Sequence, residues 1–306
     1  MSRKVCITGG TGMIGSALRE LLTRQGYDLS VYSRSKKSLE NAKVYTWDIQ
    51  KRELEKEALE AADVIVHLAG ANIGSGSWTD QRKKEIRDSR IESTRLLIEH
   101  LSTMNKKPAA FISISAIGIY GHQTGGILVD EERIKPGDDF MATTSKEWEA
   151  EALKIGDLGI RLVILRSGVV LSMEGGALPR LVTPVKLGVG APVGTGDQYI
   201  SWIHIQDLCR IILFAIEEDQ LNGIYNAVAP EPETNKEFTR IIAQTLNKPF
   251  FMPNIPPFVL RILFGEMAST VLGGNRVSSK KIENAGFKFK FPTLRPALED
   301  LLKKER

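Results

Sequence analysis

Lys4-Val5-Cys6-Ile7-Thr8-Gly9-Gly10-Thr11-Gly12-Met13-Ile14-Gly15 is an apolar run that ends in closely spaced glycines. Behind it, Ile14, Leu18, Leu21 and Leu22 share one face of a helix predicted over 14–25, with Gly26 placed to end it. Gly9, Gly12 and Gly15, or equally Gly10, Gly12 and Gly15, give the spacing of a dinucleotide-binding turn. Such a turn must be tight, and its backbone must come close to a pyrophosphate. The following helix then offers free N–H groups and a positive dipole end. The alternative is a tight structural turn without a ligand. A G-x-x-x-x-G-K-[ST] loop is absent from the chain, which disfavours ATPases and GTPases of that type.

Working outward, the pattern predicts strands over 4–8, 28–33, 44–49, 64–68, 111–115 and 161–166, and helices over 53–62, 79–104 and 145–155. Apolar strands alternating with helices imply an α/β fold, a Rossmann-type doubly wound parallel sheet. The Gly- and Pro-rich stretch 175–196 reads as a loop or lid within a substrate segment over 173–200. After a strand and helix in 202–219, the chain from 230 to 306 reads as a smaller C-terminal α/β subdomain on the substrate side, against a nucleotide-binding domain over 1–229.

In NAD-binding units an acidic residue at the end of the second strand holds the ribose 2′-hydroxyl. Here that end is Ser30-Val31-Tyr32-Ser33-Arg34, with no carboxylate. A guanidinium at Arg34 suits a 2′-phosphate, with the Ser33 hydroxyl beside it, so the expected cofactor is NADP(H). The alternative for Arg34 is an ordinary surface arginine. Asp48, ending the third strand, is placed either to meet an adenine amino group or to serve as a turn aspartate.

The formal net charge is +4 and spread along the chain, which excludes the concentrated basic face that nucleic acid requires. Cys6 and Cys209 stand far apart and read as small buried residues of a reducing compartment. No signal-peptide pattern and no run of about 18 apolar residues occurs. The expectation is a cytoplasmic protein with a small-molecule partner and no membrane. No Cys, His and carboxylate cluster has metal spacing.

Thr8-Gly9-Gly10-Thr11-Gly12-Met13-Ile14-Gly15, His67-Leu68-Ala69-Gly70, Ser113-Ile114-Ser115-Ala116 with Ile119-Tyr120-Gly121, and His204-Ile205-Gln206-Asp207 resemble motifs of the extended short-chain dehydrogenase/reductase group, which includes sugar-nucleotide epimerases and dehydratases. Leu68-Ala69-Gly70-Ala71-Asn72-Ile73, Trp78, Asp88-Ser89-Arg90 and Trp148-Glu149 are similar to its "epimerase family" subgroup, as is the C-terminal stretch over 260–302. The resemblance implies that Thr11, Met13 and Ile14 join the glycines around the diphosphate. It also implies that Leu68, Ala69 and Gly70 lie beside the nicotinamide ribose.

The wider group relies on a Tyr-x-x-x-Lys pair with a nearby Ser or Thr. Lys146 falls at the lysine position, but Ala142 stands where the tyrosine belongs, and a methyl group moves no proton. Ser115 lies near the usual Ser position. Tyr120 is either an alternative acid/base or a packing ring, and Lys146 either binds ribose or is a solvated helix lysine. Asp130 and Glu131 either face substrate or are solvated. Asp207 is expected to cap the helix after it. Two functions follow: an atypical NADP(H)-dependent epimerase or oxidoreductase transferring hydride, or an inactive NADP(H)-sensing protein. Relatives pair through the helices over 79–104 and 145–155, so a homodimer is a further expectation.

Overall fold

The computed structural model describes residues 3–36, 38–121, 123–132 and 137–303. Strand and helix alternate through β1 (Lys4–Thr8), α1 (Met13–Arg24), β2 (Asp28–Ser33), β3 (Lys43–Asp48), β4 (Glu53–Leu54), α2 (Glu57–Ala61), β5 (Val64–His67), α3 (Asp80–Thr103) and β6 (Ala110–Ala116). Next come β7 (Gln123–Val129), α4 (Phe140–Leu153), β8 (Arg161–Ser167), β9 (Val169–Ser172), β10 (Gly175–Gly176), α5 (Leu178–Lys186), β11 (Tyr199–Ile200), β12 (Trp202–His204), α6 (Ile205–Glu217) and β13 (Gly223–Ala227). The C-terminal part holds β14 (Glu233–Thr234), α7 (Asn235–Thr245), α8 (Pro257–Phe264), α9 (Ala268–Leu272), β15 (Gly274–Val277), α10 (Lys280–Asn284) and α11 (Leu294–Lys303).

Eight strands form the main sheet in the order β13-β8-β6-β5-β1-β2-β3-β4. All its pairings are parallel except β3 with β4. The order runs outward in both directions from β1 and β5, so a crevice for a ligand opens between their C-terminal ends. The two-residue period of the strands sorts the core. Val5, Ile7, Val31, Val66, Ile112 and Val163 share one cluster with Leu18 and Leu22 of α1 and Leu208 and Ile212 of α6. Their neighbours Cys6, Tyr32, Ile65, Phe111 and Ile164 form a second cluster with Leu59, Leu96, Leu97 and Ala152 of α2, α3 and α4.

Three expectations change. Residues 53–62 are not one helix: Glu55 N–H bonds the Thr46 carbonyl at 3.1 Å, which folds β4 back on β3 before α2 begins. The 175–196 stretch is not an open loop. Leu178, Val182 and Val185 bury one stripe of α5, a helical spacing that the glycines and prolines around it conceal. Nor does Asp207 cap α6. His204 Nδ1 accepts the Gln206 N–H at 3.0 Å, while buried Asp207 accepts the N–H groups of Lys290 (2.9 Å) and Phe291 (2.8 Å) and so ties the C-terminal segment to α6. The same segment returns to the first half where β15 pairs with β7. Among the described residues, no helix is long and apolar enough to cross a membrane.

Candidate active site

The turn after β1 is tight for reasons internal to the protein at three of its glycines. Gly9 has φ +67°, and a Cβ on it would stand 2.8 Å from the Leu68 carbonyl carbon. A Cβ on Gly10 would press on the Val31 side chain at 2.8 Å, and one on Gly15 would lie 2.6 Å from the Gly10 Cα. Gly12 differs. It is the N-cap of α1, no side chain caps the helix, and a Cβ there would meet only the Gly9 oxygen, at 3.4 Å. Packing within the chain therefore does not require a glycine at 12, whereas close approach of a ligand would. No acidic residue stands in the first turn of α1 to oppose an anion. Thr11 is exposed, and Met13 and Ile14 begin the helix.

The 68–70 turn is fastened to this one. Thr8 Oγ1 accepts the N–H groups of Leu68 and Ala69, each at 3.2 Å, and lies 2.7 Å from His67 Nδ1. With both N–H groups donating to it, the Thr8 hydroxyl gives its proton to Nδ1. His67 is then the neutral Nε2–H tautomer, facing Thr94 Oγ1 at 3.1 Å. Burial pushes the His67 pKa down to about 3. The sign of the resulting pH effect follows from linkage. The unfolded chain binds a proton near pH 6.5 that the folded one refuses, so stability is complete above that pH and lost as pH falls toward 3. The expected slope is about 1.4 kcal/mol per pH unit below the unfolded pKa. Urea unfolding at pH 7 and pH 5 should show a smaller loss in His67→Gln than in the native chain; parallel losses would remove His67 from the account.

At the other end of the crevice, three parallel strands place polar groups side by side. Ser115 of β6 and Asn226 of β13 are both register partners of Arg166 on β8. All three are buried. Arg166 grips Glu149 of α4 through two bonds, Nε to Oε1 at 2.9 Å and Nη2 to Oε2 at 2.8 Å. The Ser115 hydroxyl donates to the same Oε1 at 2.6 Å. Tyr120, in the 3-10 turn Ile117–Tyr120, accepts from Arg166 Nη1 at 3.0 Å and donates to Asn226 Oδ1 at 2.8 Å. Burial raises its pKa. Its one proton is thus committed to Asn226, which does not suit the acid/base role that the sequence allowed. Glu131 Oε1 accepts the Asn226 N–H at 2.7 Å, a structural use for one of the two acidic loop residues.

The structure describes the surroundings of two further candidates. Lys146 is exposed and shares an outward stripe of α4 with Thr143, Ala150 and Leu153, whereas Ala142, Ser145 and Glu149 face inward. Its spacing from Ala142 fits the familiar pair, and its exposure leaves it apart from the buried Ser115–Glu149 contact. Asp48 is a turn aspartate: Oδ1 accepts the N–H groups of Gln50 (2.9 Å) and Lys51 (3.0 Å), and Oδ2 lies 3.9 Å from Lys51 Nζ. At the end of β2, Ser33 is buried, with Oγ accepting the Ser35 N–H at 3.3 Å. Arg34 is exposed and, among the described residues, makes no hydrogen bond or ion pair. Glu149, Arg166 and Asn226 were given no role from sequence. A lone arginine closing the apolar run Leu162-Val163-Ile164-Leu165 was the available signal.

A family model described as the NAD dependent epimerase/dehydratase family matches residues 5–227, most of the chain. The chain belongs to this family. A second model, a domain of unknown function called DUF1731, matches residues 255–301. Within the NAD dependent epimerase/dehydratase family, the chain is similar to epimerase family protein YfhF of Bacillus subtilis, 36% identical over 97% of each chain. It is likewise similar to mouse epimerase family protein SDR39U1, 34% identical over 98% of this chain and 99% of that one. Among solved structures, human epimerase family protein SDR39U1 (isoform 2) with NADPH superposes with a TM-score of 0.87, at 32% identity over 98% of this chain and 99% of that one. UDP-glucose 4-epimerase of Thermotoga maritima shares the fold, with a TM-score of 0.77 at 18% identity over 99% of each chain.

Proposed function

We propose that this protein binds NADP(H) and uses it in an atypical oxidoreductase or epimerase reaction on a small molecule. The observation that carries the reading is the pairing of an open Gly12 at the α1 N-terminus with a free Arg34 at the exit of β2. Backbone N–H groups over 9–15 suit the diphosphate, with Thr11, Met13 and Ile14 flanking it. Arg34 suits the 2′-phosphate, and Leu68, Ala69 and Gly70 suit the nicotinamide ribose. A relative 32% identical that was solved with NADPH supports the choice of the phosphorylated cofactor.

When bound, the cofactor supplies hydride transfer. Ser115 Oγ would hold the reacting oxygen of the substrate by a hydrogen bond, while its own proton is held by Glu149 Oε1. Arg166 keeps the Glu149 carboxylate aimed at Ser115, and Tyr120 with Asn226 braces Arg166. Loss of NADPH absorbance across a panel of carbonyl compounds and sugar nucleotides tests turnover. Ser115→Ala should lower kcat by about a hundredfold or more with NADPH affinity intact. Full turnover in that variant would dismiss Ser115.

Ala142 in place of a tyrosine favours a second reading, a sensor of the NADP(H) pool without catalysis. Saturable binding without turnover on any substrate, and a partner whose affinity follows the bound redox form, would establish it.

A further inference from the structure

The loop after β5 is held in an unusual way. Four consecutive carbonyls are each taken by a side-chain donor: Ala71 by Arg90 Nη2 (3.2 Å), Asn72 by Arg82 Nη2, Ile73 by Trp78 Nε1 (2.9 Å) and Gly74 by Arg180 Nη2 (2.7 Å). Three of the four donors are guanidinium groups, from α3 and α5. Trp78 shows that a neutral donor suffices to hold a carbonyl. Bringing three cations to one short loop costs desolvation and mutual repulsion that holding the loop does not require.

Among the described residues a carboxylate balances only one of them: Arg82 pairs with Glu85, whereas Arg90 and Arg180 bond only to carbonyls. Arg82 also keeps a buried Nε with no partner. Arg90 lies against the Trp148 ring, 5.3 Å from its centroid, with its Cζ 3.1 Å from where a Gly70 Cβ would stand. Burial and the neighbouring Arg82 charge push its pKa down to about 10. Arg166 makes the contrast: an arginine of the same crevice with a two-pronged carboxylate.

Position gives the charge its use. The segment carrying Arg180 starts near the glycine turn, where a Cβ built on Gly175 or Gly176 would stand 3.6 Å from the Met13 sulfur, and reaches across to Gly74. It therefore bridges the mouth of the crevice at the β5 side. We propose that Arg82 and Arg180, backed by Arg90, form a binding site for an anionic group of the substrate, a phosphoryl or a carboxyl. The inference rests on the cofactor reading above, because the nicotinamide half at β5 is what makes this mouth the substrate's. Exposed Arg180 contacts the anion directly and joins it to the bridging segment.

The test uses the full chain saturated with NADPH, so that the phosphate sites of the cofactor are filled. Inorganic phosphate and malonate are titrated separately at constant ionic strength, followed by tryptophan fluorescence, for which Trp78 is a built-in reporter, and by calorimetry. Saturable binding of either is expected, and the tighter of the two names the group. Arg180→Gln should weaken it about tenfold or more and Arg180→Lys less, with the melting temperature and NADPH affinity unchanged. Absence of binding by both anions, or equal affinity in Arg180→Gln, would overturn the site. Failure to hold NADPH would overturn the cofactor reading and with it the assignment of the anion to a substrate, whereas Arg180-dependent anion binding, read without the cofactor, would still establish the anion site.

Discussion

Arg166→Met is expected to lower the free energy of unfolding by about 3–5 kcal/mol, read from urea denaturation at neutral pH. The reason lies in what remains behind. Glu149 and Arg166 are 5% and 7% exposed, so deleting the guanidinium leaves a carboxylate buried among β6, β8 and α4 with the Ser115 hydroxyl as its chief remaining donor. Tyr120 loses a donor in the same step. The pair itself adds little net stability over apolar side chains of like volume, because both charges were desolvated on folding. The double variant Glu149→Leu, Arg166→Met should therefore recover most of the loss. A single variant within about 0.5 kcal/mol of the native chain would mean that the network is open to water.

Gly12→Val should keep the fold and lose the nucleotide. The helix N-cap takes the change at a cost of about 1 kcal/mol, since the Gly12 φ of −80° suits any residue and a Cβ there would meet only the Gly9 oxygen, at 3.4 Å. Cofactor affinity should fall by about a hundredfold or more, because the added methyls occupy the approach of the diphosphate and displace it from the N–H groups. Gly15→Ala is the complementary control. Its Cβ runs into the Gly9–Gly10 backbone, so it should lower the melting temperature as well. Native affinity in Gly12→Val would show that the diphosphate does not rest on this turn.

How much of this was written in the sequence varies from residue to residue. The glycine turn was, because its constraint is local: a turn, a close approach and a helix start lie within 12 residues. The position of Arg34 at the exit of β2 was legible for the same reason, being fixed relative to Gly15 by one helix and one strand. The ionic cluster was not. Ser115, Arg166 and Asn226 meet only through strand register, and Glu149 reaches them only through the phase of α4, set by Met141, Ser145 and Trp148. The exposure of Lys146 was not legible either, because a four-residue spacing says nothing about which face of a helix is buried. Asp207 looked like a cap because its partners lie 83 and 84 positions further on.

Calorimetric titration of the native chain and of Arg34→Ala with NADPH and with NADH tests the account most directly. Native protein should bind NADPH about ten to a hundred times more tightly than NADH, and Arg34→Ala should erase most of that difference while leaving NADH affinity unchanged. Folded protein that holds neither nucleotide, or a variant that keeps the full preference, would contradict it.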